Sequence, residues 1–225
     1  MQPSDKQGFE KLRLHELNIS RKEYLGDDTY VFYFERFFDF LSGQVVAIAL
    51  REEEPARLYS ICSGELEDEV AILFKIKSGG FLTPRLAKRE VGENIWVSKA
   101  FGSFYGTDSD DYWIAAGTGI APFVSMLKSN LAENKTLIHG GRLPISFYFS
   151  DLFENEKGLK YIKCSSVTDD DGFYRGRLTA FLKQATLDTN KIFFVCGSSE
   201  MVVQVRDILI GRGVDYDKII AEIYF

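Results

Sequence analysis

The run Trp113-Ile114-Ala115-Ala116-Gly117-Thr118-Gly119-Ile120-Ala121-Pro122-Phe123 holds the most chemical promise in this chain. It reads as a buried strand that breaks into a glycine turn and re-forms at once as a helix. Such a junction aims free backbone N–H groups and the positive end of a helix dipole at one point, a natural seat for a pyrophosphate. Gly117 and Gly119 let the backbone approach a ligand, with Thr118 between them. Pro122 suits a first helical turn, where its missing N–H is not needed. The spacing is not the G-x-G-x-x-G fingerprint, since Pro122 stands where the third glycine would fall. An ordinary strand–turn–helix corner is the competing reading.

Five further stretches carry residues of interest. Arg57-Leu58-Tyr59-Ser60 offers a phosphate clamp, a stacking face and a hydrogen-bond partner, or simply a strand with one snorkelling charge. In Lys77-Ser78-Gly79-Gly80-Phe81-Leu82-Thr83-Pro84-Arg85-Leu86, glycines precede a helix start with Thr83 as N-cap and Pro84 at its first position. That makes a second anion seat, or a well-capped connecting helix. Phe101-Gly102-Ser103-Phe104 sets small residues between aromatics, suited to a flat ligand or to core packing. Val195-Cys196-Gly197-Ser198-Ser199-Glu200-Met201 repeats the strand–turn–helix logic, and Cys196 either faces a substrate ring or fills a strand end. The chain stops at Ala221-Glu222-Ile223-Tyr224-Phe225, two aromatics where an end would ordinarily fray or pack on a neighbouring patch.

The elements that must position these groups change rhythm near residue 110. Residues 29–35, 44–50, 57–61, 70–77 and 94–98 read as short strands parted by turn clusters, with only 83–89 helical. This pattern predicts a closed antiparallel barrel. From residue 112, apolar strands at 113–116, 136–139, 161–164, 192–196 and 219–224 alternate with helices at 123–132 and 200–211. This predicts a Rossmann-like parallel sheet covered on both faces. The polar link 105–111 marks the expected boundary, with residues 1–106 as the barrel domain and 107–225 as the α/β domain. Ligands of such α/β units sit at the carboxyl ends of strands, where Gly117 and Gly197 fall.

Composition narrows the chemistry. The 225 residues, 45% hydrophobic and 14% aromatic, suffice for two cores. A net charge of −6 argues against nucleic acid or an anionic membrane as the main partner. The longest uncharged run, 112–127, is too short to span a bilayer and carries glycines and a proline. The opening residues have no apolar signal region, so a cytoplasmic location is expected. Cys62, Cys164 and Cys196 are isolated, and His15 and His139 are the only histidines, so neither a disulfide framework nor a metal site is expected. Redox chemistry would have to come from an organic cofactor.

Taken in order, Arg-x-Tyr-Ser, the glycine turn before a proline-bearing helix, Gly-Thr-Gly-Ile-Ala-Pro, the Cys-Gly strand end and the terminal aromatic pair resemble the ferredoxin–NADP⁺ reductase family. The resemblance runs from about Tyr24 to Phe225. Leu-Thr-Pro-Arg-Leu and Ala-Glu-Ile-Tyr-Phe look most like its bacterial branch, the ferredoxin/flavodoxin–NADP⁺ reductases. It implies FAD on the barrel, NADP(H) or else NAD(H) on the α/β half, and electrons passed between NAD(P)H and ferredoxin or flavodoxin by hydride transfer to flavin N5. By that likeness Arg57 binds a flavin phosphate, Leu58 and Tyr59 lie along the flavin, and Ser60 hydrogen-bonds near N5. Lys77, Gly79, Gly80, Phe81, Leu82 and Thr83 surround the FAD pyrophosphate. Gly102 and Phe225 complete the FAD site, with Phe225 on the adenine. Gly117, Thr118, Gly119 and Pro122 hold the nicotinamide nucleotide's pyrophosphate. Arg142, Ser166 and Arg177 lie toward its 2′-phosphate, and Cys196, Gly197 and Glu222 beside its nicotinamide. Tyr224 covers the flavin face and moves aside for hydride transfer. Ser60, Cys196, Glu222 and Tyr224 make up the implied catalytic set.

One departure bears on nucleotide choice. NADP-specific members carry an arginine in a Ser-Arg pair after the third strand of the α/β half. Here 164–172 reads Cys-Ser-Ser-Val-Thr-Asp-Asp-Asp-Gly, with Val167 in that place and three aspartates that would repel a phosphate. Arg142 and Arg177 leave NADPH a slight lead over NADH. A free-flavin or small-acceptor reductase and an electron-transfer subunit of a larger complex are the alternatives, and a monomer is expected.

Overall fold

The structure is a computed structural model and describes residues 12–168 and 171–224. β1 (Leu14–Gly26), β2 (Thr29–Glu35), β3 (Val45–Ala49), β4 (Arg57–Ser60), β5 (Glu69–Lys75) and β6 (Asn94–Ser98) form an antiparallel sheet in the order β4-β3-β6-β1-β2-β5. An Ile61–Ile72 bridge and a 2.8 Å hydrogen bond from Cys62 N to Ala71 O join its two ends into a barrel. β1 was not expected from the sequence, because Ile19 is its one fully buried residue and the rest is largely polar. It pairs with β6 through Leu14–Asn18 and with β2 from Ile19 on, and a bulge between Ile19 and Arg21 turns it from one partner to the other. A single helical turn, α1 (Thr83–Leu86), connects β5 to β6.

Side chains alternate across β2 and β5, yet both faces are apolar. Phe32, Phe34, Val70, Ile72 and Phe74 fill the barrel with Ile48, Ile95 and Val97. Val31, Tyr33, Ala71 and Leu73 point outward and are buried too, against Trp113, Phe123, Met126 and Phe194 of the second half. A strand buried on both faces reads as a continuous apolar run, which is how β2 and β5 appear in the sequence.

The second sheet is parallel throughout. β7 (Tyr112–Ala116), β8 (Thr136–Gly141), β9 (Lys160–Ser165), β10 (Phe173–Arg175), β11 (Phe193–Ser198) and β12 (Ile219–Tyr224) lie in the order β10-β9-β8-β7-β11-β12. The chain builds outward from β7 on one side, then returns to add β11 and β12 on the other. The crevice at the carboxyl ends of β7 and β11 is therefore a topological switch point, the usual seat of a ligand. α2 (Ala121–Lys128) covers one face, while α4 (Leu178–Gln184) and α5 (Ser199–Gly211) cover the other. α2 ends at Lys128 rather than near 132, because Asn130 adopts a left-handed conformation (φ 62°) that stops the helix. α3 (Ser150–Glu154), α4 and β10 are short elements absent from the sequence expectation. No helix among the described residues is long and apolar enough to cross a membrane.

The link 105–111 looks like a flexible connector in sequence, but Lys135 ties it down. This lysine is fully buried at the start of β8. Its Nζ donates to Thr107 O (2.7 Å) and Ser109 O and lies 3.6 Å from the buried Asp111 carboxylate. The Thr107 hydroxyl also donates to Asp111. Burial holds the Lys135 pKa below the usual lysine range, and Asp111 works against that shift.

Breaking a buried pair costs more than forming one gains, because the remaining charge is left without a partner. Lys135→Met is expected to cost about 3–5 kcal/mol in urea unfolding, and Lys135→Met with Asp111→Asn to recover part of that loss. A single variant as stable as wild type would show that the link is held by other contacts.

Candidate functional site

Ser60 ends β4 and is buried. Its hydroxyl donates to Glu222 Oε2 (3.1 Å) and accepts from the Tyr224 hydroxyl (2.6 Å). Glu222 and Tyr224 stand two residues apart on β12, so they share one face of the strand. Glu222 lies in register with Cys196 on β11, and the buried Cys196 thiol hydrogen-bonds with Tyr224. Residues more than 160 positions apart in sequence thus meet where the barrel abuts the edge of the parallel sheet.

Burial dominates the protonation of this cluster. It pushes the Glu222 carboxyl up to about 7, with the Ser60 hydrogen bond pulling the other way. It drives the Cys196 thiol well above its ordinary range, with Glu222 adding to the rise and Tyr224 opposing it. Tyr224 is raised in the same way, burial first and the neighbouring Cys196 and Glu222 after it. Burial thus favours the Cys196 thiol over its thiolate, and the side chain stands in the cluster as a small polarizable neighbour. Glu222 is the one member that exchanges a proton near neutrality.

The barrel side supplies a polar rim. Arg57 is exposed, and its guanidinium donates to the adjoining Ala56 carbonyl (3.2 Å) while forming no ion pair among the described residues. Leu58 beside it is exposed, and Tyr59 sets its ring edge-on to Phe74 at 6.1 Å. Past β5, Gly80 N donates to Lys77 O (2.8 Å), and Gly79 has φ +70°, as the third position of a type II turn demands.

Thr83 departs from expectation. The N-cap of α1 is Leu82, and the Thr83 hydroxyl accepts from Lys77 N (2.9 Å) instead of capping the helix. Its oxygen is spent closing the 77–83 loop, and α1 stops at Leu86 after four residues rather than running to 89. Leu82 is buried beneath the loop, while Phe81 is half-exposed with the Arg85 guanidinium 4.9 Å from its ring centre. Glu54 holds that guanidinium through two 2.8 Å hydrogen bonds. Gly102, with φ +101°, lies beside Val45 on β3.

A cleft of about 940 Å³ opens between the two halves. Gly117, Thr118, Arg142, Ser166, Arg177 and Ser198 line it from the α/β side, Lys75 and Lys77 from the barrel, with Tyr148 and Tyr224 also on its wall. Four cations and a single carboxylate, Glu200, face it among the described residues. Gly117 has φ +56° and no heavy atom within 4 Å of where a Cβ would stand, so its backbone is open to the cleft. Gly119 has a different reason: a Cβ there would lie 2.3 Å from Cys196 O. The end of β11 passes directly against it. Gly119, Pro122, Cys196 and Gly197 form the packing behind the wall rather than the wall itself. Residues 117–120 form a 3₁₀ turn before α2, and no side chain caps it.

The sequence reading passed over Lys75 and Tyr148. Lys75 had a signal, a Lys-x-Lys at a strand end beside a glycine turn. Tyr148 had none, because its place at the cleft depends on how the two halves dock. Val167 lines the cleft as an exposed side chain. Phe225, Asp169 and Asp170 lie outside the described residues.

A family model described as an oxidoreductase NAD-binding domain matches residues 113–207. The chain is 30% identical over 210 residues to the ferredoxin–NADP reductase of Azotobacter vinelandii, covering 77% of this chain and 80% of that protein. It is 26% identical over 193 residues to the toluate 1,2-dioxygenase electron transfer component of Pseudomonas putida, covering 78% of this chain and 56% of the component. It thus spans little more than half of the latter's length. A ferredoxin NADP⁺ reductase from Neisseria gonorrhoeae, solved with bound FAD and NADP, superposes with a TM-score of 0.86 at 22% identity, over 96% of this chain and 100% of that one. At that identity the likeness speaks for the fold.

The Glu222 carboxyl gives the site a pH signature. Its folded pKa of about 7 lies above the 4.5 of a free glutamate, so the folded protein binds this proton more tightly than the unfolded chain. The stabilisation is fully present below pH 4.5 and is lost as the pH rises through about 7. Glu222→Gln should therefore be the more stable form at pH 8, and the wild type's margin over it should fall across this window. Urea unfolding of both proteins from pH 4.5 to 8 tests this, and a margin constant with pH would refute the raised pKa.

Proposed function

This chain belongs to the ferredoxin–NADP reductase family, and from that premise we propose that it is an FAD-dependent oxidoreductase passing electrons between NAD(P)H and a one-electron carrier such as ferredoxin or flavodoxin. The observation that carries the reading is the convergence of Ser60, Cys196, Glu222 and Tyr224 beside a cleft lined by four cations. In this reading residues 1–106 are the FAD-binding unit and 107–225 the nucleotide-binding unit. A cytoplasmic monomer is also part of this reading, and the three free cysteines fit a reducing compartment.

The residues present fit both groups. A dinucleotide carries several negative charges, and Lys75, Lys77, Arg142 and Arg177 outnumber Glu200 and the Asp27 carboxylate paired with Lys75. Arg57, with no carboxylate partner among the described residues, and the turn at Gly79, where a Cβ would meet nothing within 4 Å, suit a phosphate laid along the barrel. When bound, FAD supplies what no side chain can: it takes up two electrons as a hydride and releases them singly.

The chain's own residues have plainer tasks. Arg57 and the backbone of the 77–83 turn would hold FAD phosphate, while Tyr59 lies along the ring system. Glu222 and Tyr224 fix the Ser60 hydroxyl: its proton goes to Glu222 and one lone pair accepts from Tyr224, which leaves a second lone pair to accept a hydrogen bond from a ring N–H. Glu222 holds a proton near neutral pH. Tyr224 occupies the mouth of the cleft and must yield its place to the nicotinamide, which makes it a gate. Gly117 admits the nucleotide's pyrophosphate to bare backbone N–H groups. The positions of Arg142 and Arg177 on the cleft, with Val167 between the sheet end and solvent, favour NADPH by a modest margin.

A free-flavin or small-acceptor reductase is not favoured by any particular contact. The likeness to a dioxygenase electron transfer component supports, as the second reading, a subunit that delivers electrons to a larger oxygenase system.

Stopped-flow reduction of the purified flavoprotein by NADPH and NADH, followed by acceptor assays with ferredoxin, flavodoxin and free flavin, tests the activity. A protein that purifies without flavin, or whose flavin neither nucleotide reduces, would sink it. Arg57→Ala should weaken FAD binding by about 1.5–3 kcal/mol, the worth of a charge-assisted hydrogen bond, and purify with less than one flavin per chain. Arg177→Ala should raise the dissociation constant for NADPH about tenfold or more while leaving NADH nearly untouched. Equal losses for both nucleotides would show that Arg177 does not read the 2′-phosphate.

A further inference from the structure

Two sets of hydrogen bonds cross between the halves at the cleft. One is the Ser60–Glu222–Tyr224 cluster. The other lies at the tip of the β1–β2 hairpin, where the Tyr148 hydroxyl stands 2.7 Å from Thr29 Oγ1 and both side chains are buried. The Thr29 hydroxyl donates its proton to Asp27 O (3.1 Å), so it must accept from Tyr148. Asp27 and Asp28 both have positive φ, 49° and 55°, the pairing a two-residue hairpin turn requires. That turn presents the Asp27 carboxylate to Lys75 Nζ at 2.5 Å. Gly26 completes the turn with φ +86°, and a Cβ there would lie 2.4 Å from the end of the Ile145 side chain, which would have to shift, so the tip seats closely against residues 143–148. Lys75 and Tyr148 both line the cleft.

We propose that Tyr148 is a positioning residue of the nucleotide site: its bond to Thr29 holds the Asp27 turn in place, and the turn holds the Lys75 ammonium at the cleft. The inference rests on the reading of this cleft as the dinucleotide site. Of the two crossings, the Tyr224 contact must break whenever the gate opens. The Tyr148–Thr29 bond joins two buried side chains and does not involve Tyr224, so in this reading it sets the spacing between the Lys75 wall and the Gly117 wall while the gate moves. With Arg142 and Arg177 assigned to the 2′-phosphate, Lys75 on the barrel wall is assigned to the part common to NADP⁺ and NAD⁺, where its placement would govern affinity for both and choice between neither.

The test measures NADP⁺ and NAD⁺ dissociation constants by calorimetry on the purified flavoprotein, with flavin content and thermal midpoint followed in the same samples. Tyr148→Phe and Thr29→Val should each weaken both nucleotides by the same factor, about three- to tenfold, with flavin content unchanged. Thr29→Ser keeps the acceptor oxygen and should bind as wild type does. In a Lys75→Met background, Tyr148→Phe should weaken binding no further, a result that loss of general stability would not give. Unchanged affinities in both single variants overturn the proposal, as does a full additional loss in the Lys75→Met background. If Tyr148→Phe does not fold, the contrast of Thr29→Val with Thr29→Ser decides alone. A wild-type protein that binds neither nucleotide brings down the reading of the cleft itself. Wild-type binding with an indifferent Tyr148→Phe brings down only this inference.

Discussion

Val31, Tyr33, Ala71 and Leu73 turn their backs on the barrel interior and bury themselves against Trp113, Phe123 and Met126, so the outer wall of the barrel doubles as the cover of the second sheet. Each large apolar side chain buried this way contributes about 1.5–3 kcal/mol relative to exposure, and a seam of many such groups outweighs any single polar contact at the cleft. Polar contacts then fix its register. Ser125 donates to Ser63 O at 2.6 Å, Glu65 N donates to Ser129 Oγ at 3.0 Å, and Lys128 pairs with Glu67 at 3.1 Å. All lie along α2 or just past its end, the same helix that begins behind the glycine turn. Moving α2 relative to the barrel would move Gly117 relative to Ser60. The seam is thus what makes a site assembled from two sheets definite in shape.

That site holds two electrostatic environments side by side. Around Cys196, Glu222 and Tyr224, water is largely excluded and every titratable group is driven toward its neutral form. A few residues away the cleft is open, and cations dominate its walls. The first environment is a buried hydrogen-bonded cluster in which only Glu222 changes charge near neutral pH. The second is a cationic channel whose charges stand on different elements from that cluster, so each can be altered without much disturbing the other.

The glycines illustrate how unlike reasons can produce one motif. Gly117 is open to the cleft with a left-handed φ, whereas Gly119 exists to let the backbone of Cys196 and Gly197 pass. The second glycine brings the two halves of the switch point together, and the first then faces the space they enclose. Lys135 plays a comparable part out of sight, turning a polar stretch that resembles a linker into a tethered segment.

The sequence by itself determined the two architectures, the strand–turn–helix corner at Gly117, and the order of motifs that marks the family. These are local properties: strand and helix periods, glycine turns, and a proline in a first helical turn all act over a few neighbouring residues. It did not reveal β1, whose polar residues are ordered by the partners on either side, nor the short α3, α4 and β10. It misread Thr83, because a hydroxyl ahead of a proline looks like a cap until the 77–83 loop closes on it. Only the tertiary structure decided that Ser60 meets Glu222 and Tyr224, that Lys75 and Tyr148 share a cleft with Gly117, and that Glu222 titrates near neutrality. Contacts across more than 100 residues, and the burial that shifts a pKa, arise only when two separately specified units dock: the apolar runs of β2 and β5 mark strands covered on both faces, but not which residues of the second half cover them.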